Sequence, residues 1–305
     1  STCVTISNND DTVGTGVKGS GNNGIGVYGS HGTVVAGNDV DDSGWDGIQT
    51  NGSNGVQVTG NSVTDTFGAS GIAILGSLNN YVAGNYVDNS GRLGIYALNA
   101  DGLTVHNNSV YNSGLEAGLE WSGIHVESTD GATITANVVS GADLDGINIG
   151  GNINTFDGTS SNVVVDGNTV YSVTRDGIHA TAGVLSASGN TVDSTGDEGI
   201  EINNSTDVAV NNNLVGTLGG ANNIGGNGIE VNNSNGADMF TNTVMNAVGH
   251  GIFVDPSDNI QIAHNVINTV GNDGINVYLG NGVDIFDNSI NNAGDDGIQV
   301  SGANN

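Results

Sequence analysis

Short runs of alternating apolar and polar residues recur along the whole chain. One run has the form Gly-Ile-x-apolar, and a second apolar pair follows it, as in Val56-x-Val58 and Val283-x-Ile285. Alternation with a period of two residues predicts β-strands, and no stretch keeps helical spacing beyond two turns. The first run returns mostly every 23 residues, with its glycine at Gly24, Gly47, Gly71, Gly94, Gly123, Gly146, Gly177, Gly199, Gly228, Gly251, Gly274 and Gly297.

So regular a period over the whole length predicts one repetitive architecture. We expect an all-β fold, a single-stranded parallel β-helix (solenoid) of about 12 coils with about 23 residues per coil. Glycine, asparagine, aspartate and serine between the runs suit tight or left-handed bends. The unbroken period also predicts a single domain over residues 1–305.

An asparagine follows the second apolar pair in nearly every repeat and returns at the same intervals. An inward asparagine at one bend of each coil can bond its amide to the asparagines above and below it. We therefore predict a stacked asparagine ladder formed by Asn38, Asn61, Asn85, Asn108, Asn137, Asn168, Asn190, Asn213, Asn242, Asn265 and Asn288.

The charge of the chain limits the classes of partner that it can bind. Three basic residues, Lys18, Arg92 and Arg175, stand against 32 acidic ones, which gives a formal net charge of −29. Binding of nucleic acid or of an anionic membrane surface requires a basic patch, so both are excluded. An acidic surface keeps a protein soluble at high ionic strength, and we expect an extracellular or cell-surface protein of a saline or marine setting. No apolar run is long enough to span a membrane, and no signal peptide is expected in this mature chain.

The two ends of the chain have complementary patterns. Cys3, Val4 and Ile6 read as the second half of a coil, and Ile298 and Val300 read as the first half of one. Without caps, these half-coils predict a homo-polymer in which copies stack head to tail into a filament. Trimmed or frayed ends of a longer β-helix explain the same pattern.

The position before the repeat glycine is often acidic. Carboxylates stacked at strand spacing repel unless a proton or a cation lies between them. A Ca²⁺ site at Asp145, Asp176 and Glu198 is one interpretation, a pair of acid–base carboxylates is another, and ordinary turn chemistry is the third. The acidic members of this column are Asp46, Asp145, Asp176, Glu198, Asp273 and Asp296.

A second column, the residue x of Gly-Ile-x-apolar, points away from the predicted core. Its middle stretch includes Tyr96, His125, His179, Glu201 and Glu230, which suits either a polysaccharide-binding groove or an ordinary solvated face. Two tryptophans share one edge, because each lies two residues before a repeat glycine. Trp45 and Trp121 could stack on sugar rings or cover the core at a bend.

Through its Gly-Ile-x-Val strands and its asparagine column, the chain resembles right-handed parallel β-helix proteins of the pectin-lyase-like superfamily. These include pectate lyases, polygalacturonases, mannuronan epimerases, phage tailspikes and bacterial surface proteins. The resemblance implies a right-handed coil, but fold alone does not assign function. Paired motifs similar to those of polygalacturonases would place catalytic aspartates at Asp273, Asp295 and Asp296. The only Gly-His-Gly, around His250, lies upstream instead of downstream.

The favoured function is therefore an extracellular structural or adhesin-like protein without catalytic residues and without a required cofactor. The alternative is a carbohydrate-active hydrolase, lyase or epimerase that uses the mid-chain residues Asp145, Asp176, His179, Glu198 and Glu201. Polysaccharide is a candidate ligand in both cases. The shortage of basic residues and of caps favours the structural protein.

Overall fold

The computed structural model describes residues 4–9, 17–115, 121–150, 160–217 and 223–302. Every regular element in these ranges is a β-strand, most of them three to five residues long. The chain divides into two compact units. Unit 1 comprises Ser1–Leu144 and Asn148–Ser161, and unit 2 comprises Asp145–Ile147 and Asn162–Asn305.

The first half of the chain contributes eighteen strands, of which the last spans the division between the units. They are β1 (Thr5–Ser7), β2 (Val17–Lys18), β3 (Ile25–Tyr28), β4 (Val34–Ala36), β5 (Asp39–Asp41), β6 (Ile48–Asn51), β7 (Gln57–Thr59), β8 (Ser62–Thr66), β9 (Ile72–Leu75), β10 (Tyr81–Ala83), β11 (Tyr86–Ser90), β12 (Ile95–Leu98), β13 (Thr104–His106), β14 (Ser109–Ser113), β15 (Ile124–Glu127), β16 (Thr133–Thr135), β17 (Val138–Ser140) and β18 (Ile147–Ile149).

The described part of unit 2 continues the same pattern. Its strands are β19 (Val163–Asp166), β20 (Thr169–Val173), β21 (Ile178–Ala180), β22 (Val184–Ser188), β23 (Thr191–Thr195), β24 (Ile200–Asn203), β25 (Thr206–Asn211), β26 (Leu214–Val215), β27 (Ile229–Asn232), β28 (Asp238–Phe240), β29 (Thr243–Ala247), β30 (Ile252–Asp255), β31 (Ile260–Ala263), β32 (Val266–Val270), β33 (Ile275–Tyr278), β34 (Val283–Phe286), β35 (Ser289–Ala293) and β36 (Ile298–Ser301).

Within each unit, strands pair in parallel with the strand three places further along the chain, as β4 pairs with β7 and β28 with β31. Three strands therefore make one coil, and three parallel sheets run along each unit. In register, Ile25 lies beside Ile48, one repeat of 23 residues later. The predicted all-β parallel β-helix is confirmed, and the structure adds the number of strands per coil.

The core of each unit is a stack of branched apolar side chains. Ile48, Ile72 and Ile95 occupy one inward column of unit 1, and each is fully buried. Aligned columns of this kind place like side chains at strand spacing and fill a narrow interior without aromatic residues. Burial of this column explains why the isoleucine of the repeat hardly varies.

The repeat glycine is required by close approach between coils. A Cβ atom built on Gly94 would lie 2.2 Å from the Cγ1 of Val110 and 2.6 Å from the carbonyl oxygen of Gly123. No real Cβ tolerates such contacts, so any side chain at this position would push successive coils apart. The same contacts recur at most of the other repeat glycines in the described residues.

The asparagine ladder is confirmed within each unit. The Nδ2 of Asn85 donates to the Oδ1 of Asn108 at 2.9 Å and to the carbonyl oxygen of Val58, also at 2.9 Å. The backbone N–H of Asn85 donates to the same Oδ1 of Asn108 at 3.0 Å. Equivalent bonds link Asn190 to Asn213 in unit 2. Each amide therefore satisfies backbone groups that the bend would otherwise leave unpaired.

The remaining predictions about the whole chain have mixed outcomes. Within the described residues, no helix is long and apolar enough to cross a membrane. Cys3 lies outside the described residues. Val4 in unit 1, and Ile298 and Val300 in unit 2, are exposed apolar side chains. The single domain over residues 1–305 and the head-to-tail homo-polymer stay predictions.

Candidate functional site

The column before the repeat glycine is a second ladder, made of side-chain to backbone bonds. The Oδ1 of Asp46 accepts from the backbone N–H of Ser70 in the next coil at 3.0 Å. The Oδ1 of Asp176 accepts in the same way from the N–H of Glu198 at 3.1 Å, and Asp273 repeats the arrangement. One oxygen of each carboxylate is thus committed to the bend, which favours turn chemistry as the reason for this acidic column.

The second oxygen of these carboxylates faces the residue three positions later, the x of the repeat. Asp46 Oδ2 accepts from Gln49 Nε2 at 2.7 Å, and Asp176 Oδ2 lies 3.3 Å from His179 Nδ1. These contacts turn the x side chains toward the bend, so that Gln49 and His179 are each only 8% exposed. The interpretation of this column as a freely solvated face is therefore wrong at these positions.

An ion-pair network in unit 2 joins most of the candidate catalytic residues that the sequence indicated. Arg175 forms two parallel bonds to Asp145, from Nε to Oδ1 at 2.7 Å and from Nη2 to Oδ2 at 2.9 Å. Its Nε also lies 3.0 Å from Oδ2 of Asp176. Asp145 and Asp176 are both buried. The guanidinium therefore offsets the repulsion between two stacked carboxylates.

His179 extends this network to the next coil. Its Nδ1 lies 3.3 Å from Asp176 Oδ2 and 2.6 Å from Glu201 Oε2, so that one N–H faces two carboxylates. Burial by itself disfavours the charged imidazole, but the bonds to Asp176 and Glu201 raise the pKa of His179 to about 9. Burial likewise opposes ionisation of Glu201, yet His179 holds the pKa of Glu201 at about 2. His179 and Glu201 therefore form an ion pair at neutral pH.

Glu198 departs from the pattern of its column. Three positions after it lies a second carboxylate, Glu201, where other coils carry Gln49 or Asn276 as a hydrogen-bond donor. Burial, followed by the neighbouring charge of Asp197, raises the pKa of Glu198 to about 9. Unit 2 thus holds a protonated carboxyl group in the same coil as an ionised one.

Four groups of carboxylates or histidine have ligand atoms close enough to share a metal ion. Within the described residues, their atoms lie within 4.8 Å of one another. The predicted calcium set is divided between two of these groups, which have only Asp176 in common. Calcium binding at Asp145, Asp176 and Glu198 stays a prediction. The groups are Asp145–Asp176–His179, Asp176–Asp197–Glu198, Asp41–Asp42–Asp65 and Asp273–Asp295–Asp296.

The residues that resemble polygalacturonase motifs also meet in unit 2. His250 Nδ1 lies 3.3 Å from Asp273 Oδ2, and the ligand oxygens of Asp273, Asp295 and Asp296 form one group. In a coil, a residue one repeat upstream is as near as one repeat downstream. The upstream position of His250 therefore does not separate it from the aspartates. A catalytic role for these residues stays a prediction.

Unit 1 contains a cleft that side chains of several neighbouring coils line. Its volume is about 320 Å³, within the range of small-molecule sites. Four of its lining residues, Gln49, Ala73, Tyr96 and His125, belong to the x column. Four others, Trp45, Ala69, Arg92 and Trp121, belong to the column two residues before the repeat glycine. Asp46, Ser70, Leu75, Leu93 and Glu127 complete the lining.

Small side chains on one coil create this cleft. In register, Ala73 lies between Gln49 and Tyr96 in the x column, and neither neighbour is as small. Ala69 occupies the same coil in the adjacent column, between the tryptophan of the preceding coil and Arg92. Both alanines are buried. The gap in two adjacent columns leaves a depression that longer side chains border on both sides.

One wall of the cleft is a stack of two indoles and a guanidinium. The Cζ of Arg92 lies 5.6 Å from the ring centroid of Trp45 and 5.4 Å from that of Trp121. Both distances are within the range of a cation–π contact. Trp45 is 48% exposed, so the stack keeps indole surface open to solvent. The wall combines flat apolar faces with a cation.

Other residues of the cleft lining carry hydrogen-bonding groups. Tyr96 Oη donates to Glu127 Oε2 at 3.1 Å, and His125 Nε2 lies 3.7 Å from the same oxygen. Burial, followed by the charge of Glu127, raises the pKa of Tyr96, so the phenol stays protonated and remains a donor. Burial also raises the pKa of Asp46. Carboxylate, amide and phenol groups thus face the aromatic wall.

The sequence pointed to some of these residues and missed others. It singled out Trp45, Trp121, Tyr96 and His125, without indicating that they enclose one cavity. Arg92 stood out only for its charge. The signal that could have located the cleft is the coincidence of alanine in two adjacent columns of one coil.

Comparisons with known proteins agree with this architecture. A family model described as right-handed β-helix region matches residues 2–159, 94–253 and 155–305. No curated protein sequence matches the chain. A solved structure of the Dettilon tailspike protein (gp208) is 18% identical with a TM-score of 0.63, and the match covers 98% of this chain and 60% of that one.

Two further solved structures are similar at 14% identity. The catalytic domain of a GH87 α-1,3-glucanase with nigerose has a TM-score of 0.62, over 99% of this chain and 64% of that one. The A-module of mannuronan C-5 epimerase AlgE4 from Azotobacter vinelandii has a TM-score of 0.58, over 93% of this chain and 78% of that one. At these identities the likeness is one of fold. Because the matches to this family model together cover nearly the entire chain, the chain belongs to the right-handed β-helix family.

Proposed function

We propose that this protein binds a polysaccharide in the cleft of unit 1. The observation that carries the proposal is that an indole wall, Trp45 and Trp121, shares one cleft with the polar groups of Tyr96 and Glu127. The apolar face of a sugar ring packs on an aromatic ring, and its hydroxyl groups bond to carboxylate and amide groups. The net charge of −29 disfavours strongly anionic polysaccharides.

The fold neighbours support the same kind of ligand. The glucanase was solved with a saccharide, and the epimerase is named for its action on mannuronan. A cell-surface or extracellular setting, as for an adhesin-like protein, is part of the proposal. Head-to-tail self-association stays a separate prediction, which negative-stain microscopy of the native protein can test.

Tryptophan fluorescence gives a site-specific test, because the two tryptophans of the chain both line the cleft. Titration with a panel of neutral and amino polysaccharides is expected to shift the emission. Trp45→Ala and Trp121→Ala should each weaken binding about tenfold in calorimetry, since a buried aromatic contact contributes on the order of 1–2 kcal/mol.

Ala73→Leu should abolish binding by filling the floor of the cleft. Phe67→Ala is the matched control, because Phe67 is an exposed aromatic residue (64%) that does not line the cleft. The proposal would be contradicted if Phe67→Ala weakened binding as much as Trp45→Ala does. Binding that stays intact in Ala73→Leu would contradict it as well.

Glycoside hydrolysis in unit 2 is a second candidate function. The specific observation in its favour is the coil that carries Glu198 and Glu201. Burial keeps the first carboxyl protonated with a pKa of about 9, while His179 holds the second ionised. A proton donor beside a carboxylate base is the pair of groups that cleavage of a glycosidic bond requires.

The test is release of reducing ends from the polysaccharides of the same panel. Glu198→Gln and Glu201→Gln should each remove at least about 99% of the activity, in line with the contribution of roughly 10²–10⁴-fold from general acid–base catalysis. Asp284→Asn, at an exposed position of β34, is the control and should retain it. If a polysaccharide binds but no reducing ends are released, hydrolysis is rejected and the binding proposal stays intact.

A further inference from the structure

The cleft of unit 1 already holds a cation against its aromatic wall. Arg92 is one of three basic residues in the chain, and its guanidinium carbon lies within 5.6 Å of both indole centroids. The quadrupole of an aromatic ring attracts positive charge, most strongly for tryptophan. Arg92 thus takes the cation–π position on both indoles, and the indole surface that stays exposed is left for the apolar face of a sugar ring.

The other sides of the cleft add negative charge. Asp46 and Glu127 both line it, but Asp46 is buried and its two oxygens accept from Ser70 and Gln49, so that Glu127 is the carboxylate that a ligand can reach. Glu127 is partly accessible, with a side chain that is 17% exposed, and its Oε2 is held by Tyr96 at 3.1 Å. A carboxylate fixed in this way is preorganised to pair with an ammonium group of a ligand.

The field of the whole chain acts in the same direction. With 32 acidic and three basic residues, the protein attracts polycations and repels polyanions at distances up to about one Debye length, roughly 8–10 Å at physiological salt. Among polysaccharides, those with free amino groups carry positive charge at neutral pH. The carboxylate in the cleft and the negative charge of the whole protein therefore both favour a positively charged ligand.

We propose that the cleft of unit 1 prefers polysaccharides that contain unacetylated amino sugars, whose ammonium groups pair with Glu127 beside the aromatic wall. This inference rests on the proposed function and adds the substrate class to it. The sugar ring provides the contact with the tryptophans, and the ammonium group provides the charge that distinguishes this ligand from a neutral glycan of the same shape.

Three hexasaccharides of the same linkage provide the test: β-1,4-linked glucosamine, N-acetylglucosamine and glucose. They differ at C2, which carries an ammonium, an acetamido or a hydroxyl group. Titrations followed by tryptophan emission at low ionic strength should give at least tenfold tighter binding of the glucosamine hexamer. The preference should fall with added salt, because exposed charges are screened.

Glu127→Gln should reduce the preference for the glucosamine hexamer roughly two- to fivefold, the range for one partly exposed ion pair. Asp284→Asn removes the same unit of charge at an exposed position outside the cleft and should leave the preference unchanged. Acetylation of the hexamer makes the same comparison on wild-type protein, so the test does not depend on the folding of a variant.

Equal binding of the three hexamers, or a preference that is undiminished in Glu127→Gln, would overturn the inference. Binding of neutral panel polysaccharides without binding of the aminated hexamer would also overturn it, while leaving the cleft as a glycan site. Failure of every panel polysaccharide and every hexamer to shift the emission would reject the proposed function itself, together with this inference.

Discussion

The Nδ1 atom of His179 lies 2.6 Å from a carboxylate oxygen of Glu201, which occupies the equivalent position of the next coil. The same nitrogen faces Asp176 at 3.3 Å, and Asp176 in turn contacts Arg175. Because carboxylate oxygens only accept hydrogen bonds, Nδ1 carries the proton. Two basic side chains thus connect three carboxylates across neighbouring coils of unit 2.

This network predicts a dependence of stability on pH. His179, with its pKa raised from 6.5 to about 9, stabilises the fold fully below pH 6.5, and the contribution is lost as the pH rises through 9. Glu201, with its pKa lowered from 4.5 to about 2, contributes above pH 4.5 and loses the contribution as the pH falls toward 2. Asp176 and Glu198 have raised pKa values, and they destabilise the fold increasingly as the pH rises from 3.8 to about 6 and from 4.5 to about 9, respectively.

Together these four groups make the fold most stable at mildly acidic pH. At such a pH Glu201 is ionised, and His179 is charged in the folded and in the unfolded chain. The free energy of unfolding should fall by about 1–3 kcal/mol between about pH 6.5 and 9, and His179→Gln should remove much of that slope. Urea unfolding of both proteins across pH measures it. An unchanged slope in His179→Gln would refute the role of this imidazole.

Loss of one ladder amide should cost far more than loss of an exposed one. Asn108→Ala removes the acceptor of Asn85 and the donor to Val82, and it leaves buried polar groups unpaired. We expect a loss of about 3–5 kcal/mol in the free energy of unfolding. Asn54→Ala, which removes an exposed bond to the N–H of Leu78, should cost about 1 kcal/mol or less. Similar losses in the two variants would contradict a structural ladder.

A glycine should stabilise the bend before the ladder. Ala136 is not buried and has a φ of 55°, a left-handed conformation that costs an L-residue about 1–2 kcal/mol. Ala136→Gly should therefore raise the free energy of unfolding by about 0.5–1 kcal/mol, after allowance for the entropy of glycine. Ala132→Gly, at a fully buried position without a left-handed φ, should lower it. Chemical denaturation of both variants decides the sign.

Calcium binding in unit 2 has a thermal signature. If Ca²⁺ binds the group that contains Asp176, about 1 mM calcium should raise the melting temperature by about 2–4 °C, and a chelator should reverse the shift. Asp176→Asn should abolish the shift. Asp65→Asn changes a separate acidic group in unit 1 and should leave it intact. A melting temperature that does not respond to calcium would contradict calcium binding at this group. Arg175 would then neutralise Asp145 and Asp176 without a calcium ion.

The repeat made the backbone path predictable. Strands, the buried isoleucine column and the asparagine ladder follow from a local pattern that returns in every coil, and each coil repeats the same physical requirements. The repeat glycine is an example: its spacing was visible, and the contact of Gly94 with Val110 and Gly123 explains it. The number of strands per coil was not predictable, because the bends differ little in composition from the strand ends.

The candidate sites depended more on three-dimensional packing. The sequence left a calcium site, acid–base carboxylates and turn chemistry open for the acidic column, and in the structure the backbone N–H of the next coil occupies one oxygen of Asp46 and of Asp176. Arg175 stood out in the sequence only as one of three basic residues, and in the structure it bridges two buried aspartates. Such pairings depend on which side chains meet across coils, which a linear pattern of residue types does not specify.

By itself, the amino-acid sequence determined the coiled architecture, the stacked core and the polyanionic character of this protein. Those properties depend on periodicity and composition, which are given by the order and the number of residue types along the chain. The tertiary structure decided where chemistry can occur. The cleft exists because Ala69 and Ala73 lie between larger residues of neighbouring coils, and a cavity is defined by the side chains that surround it in space.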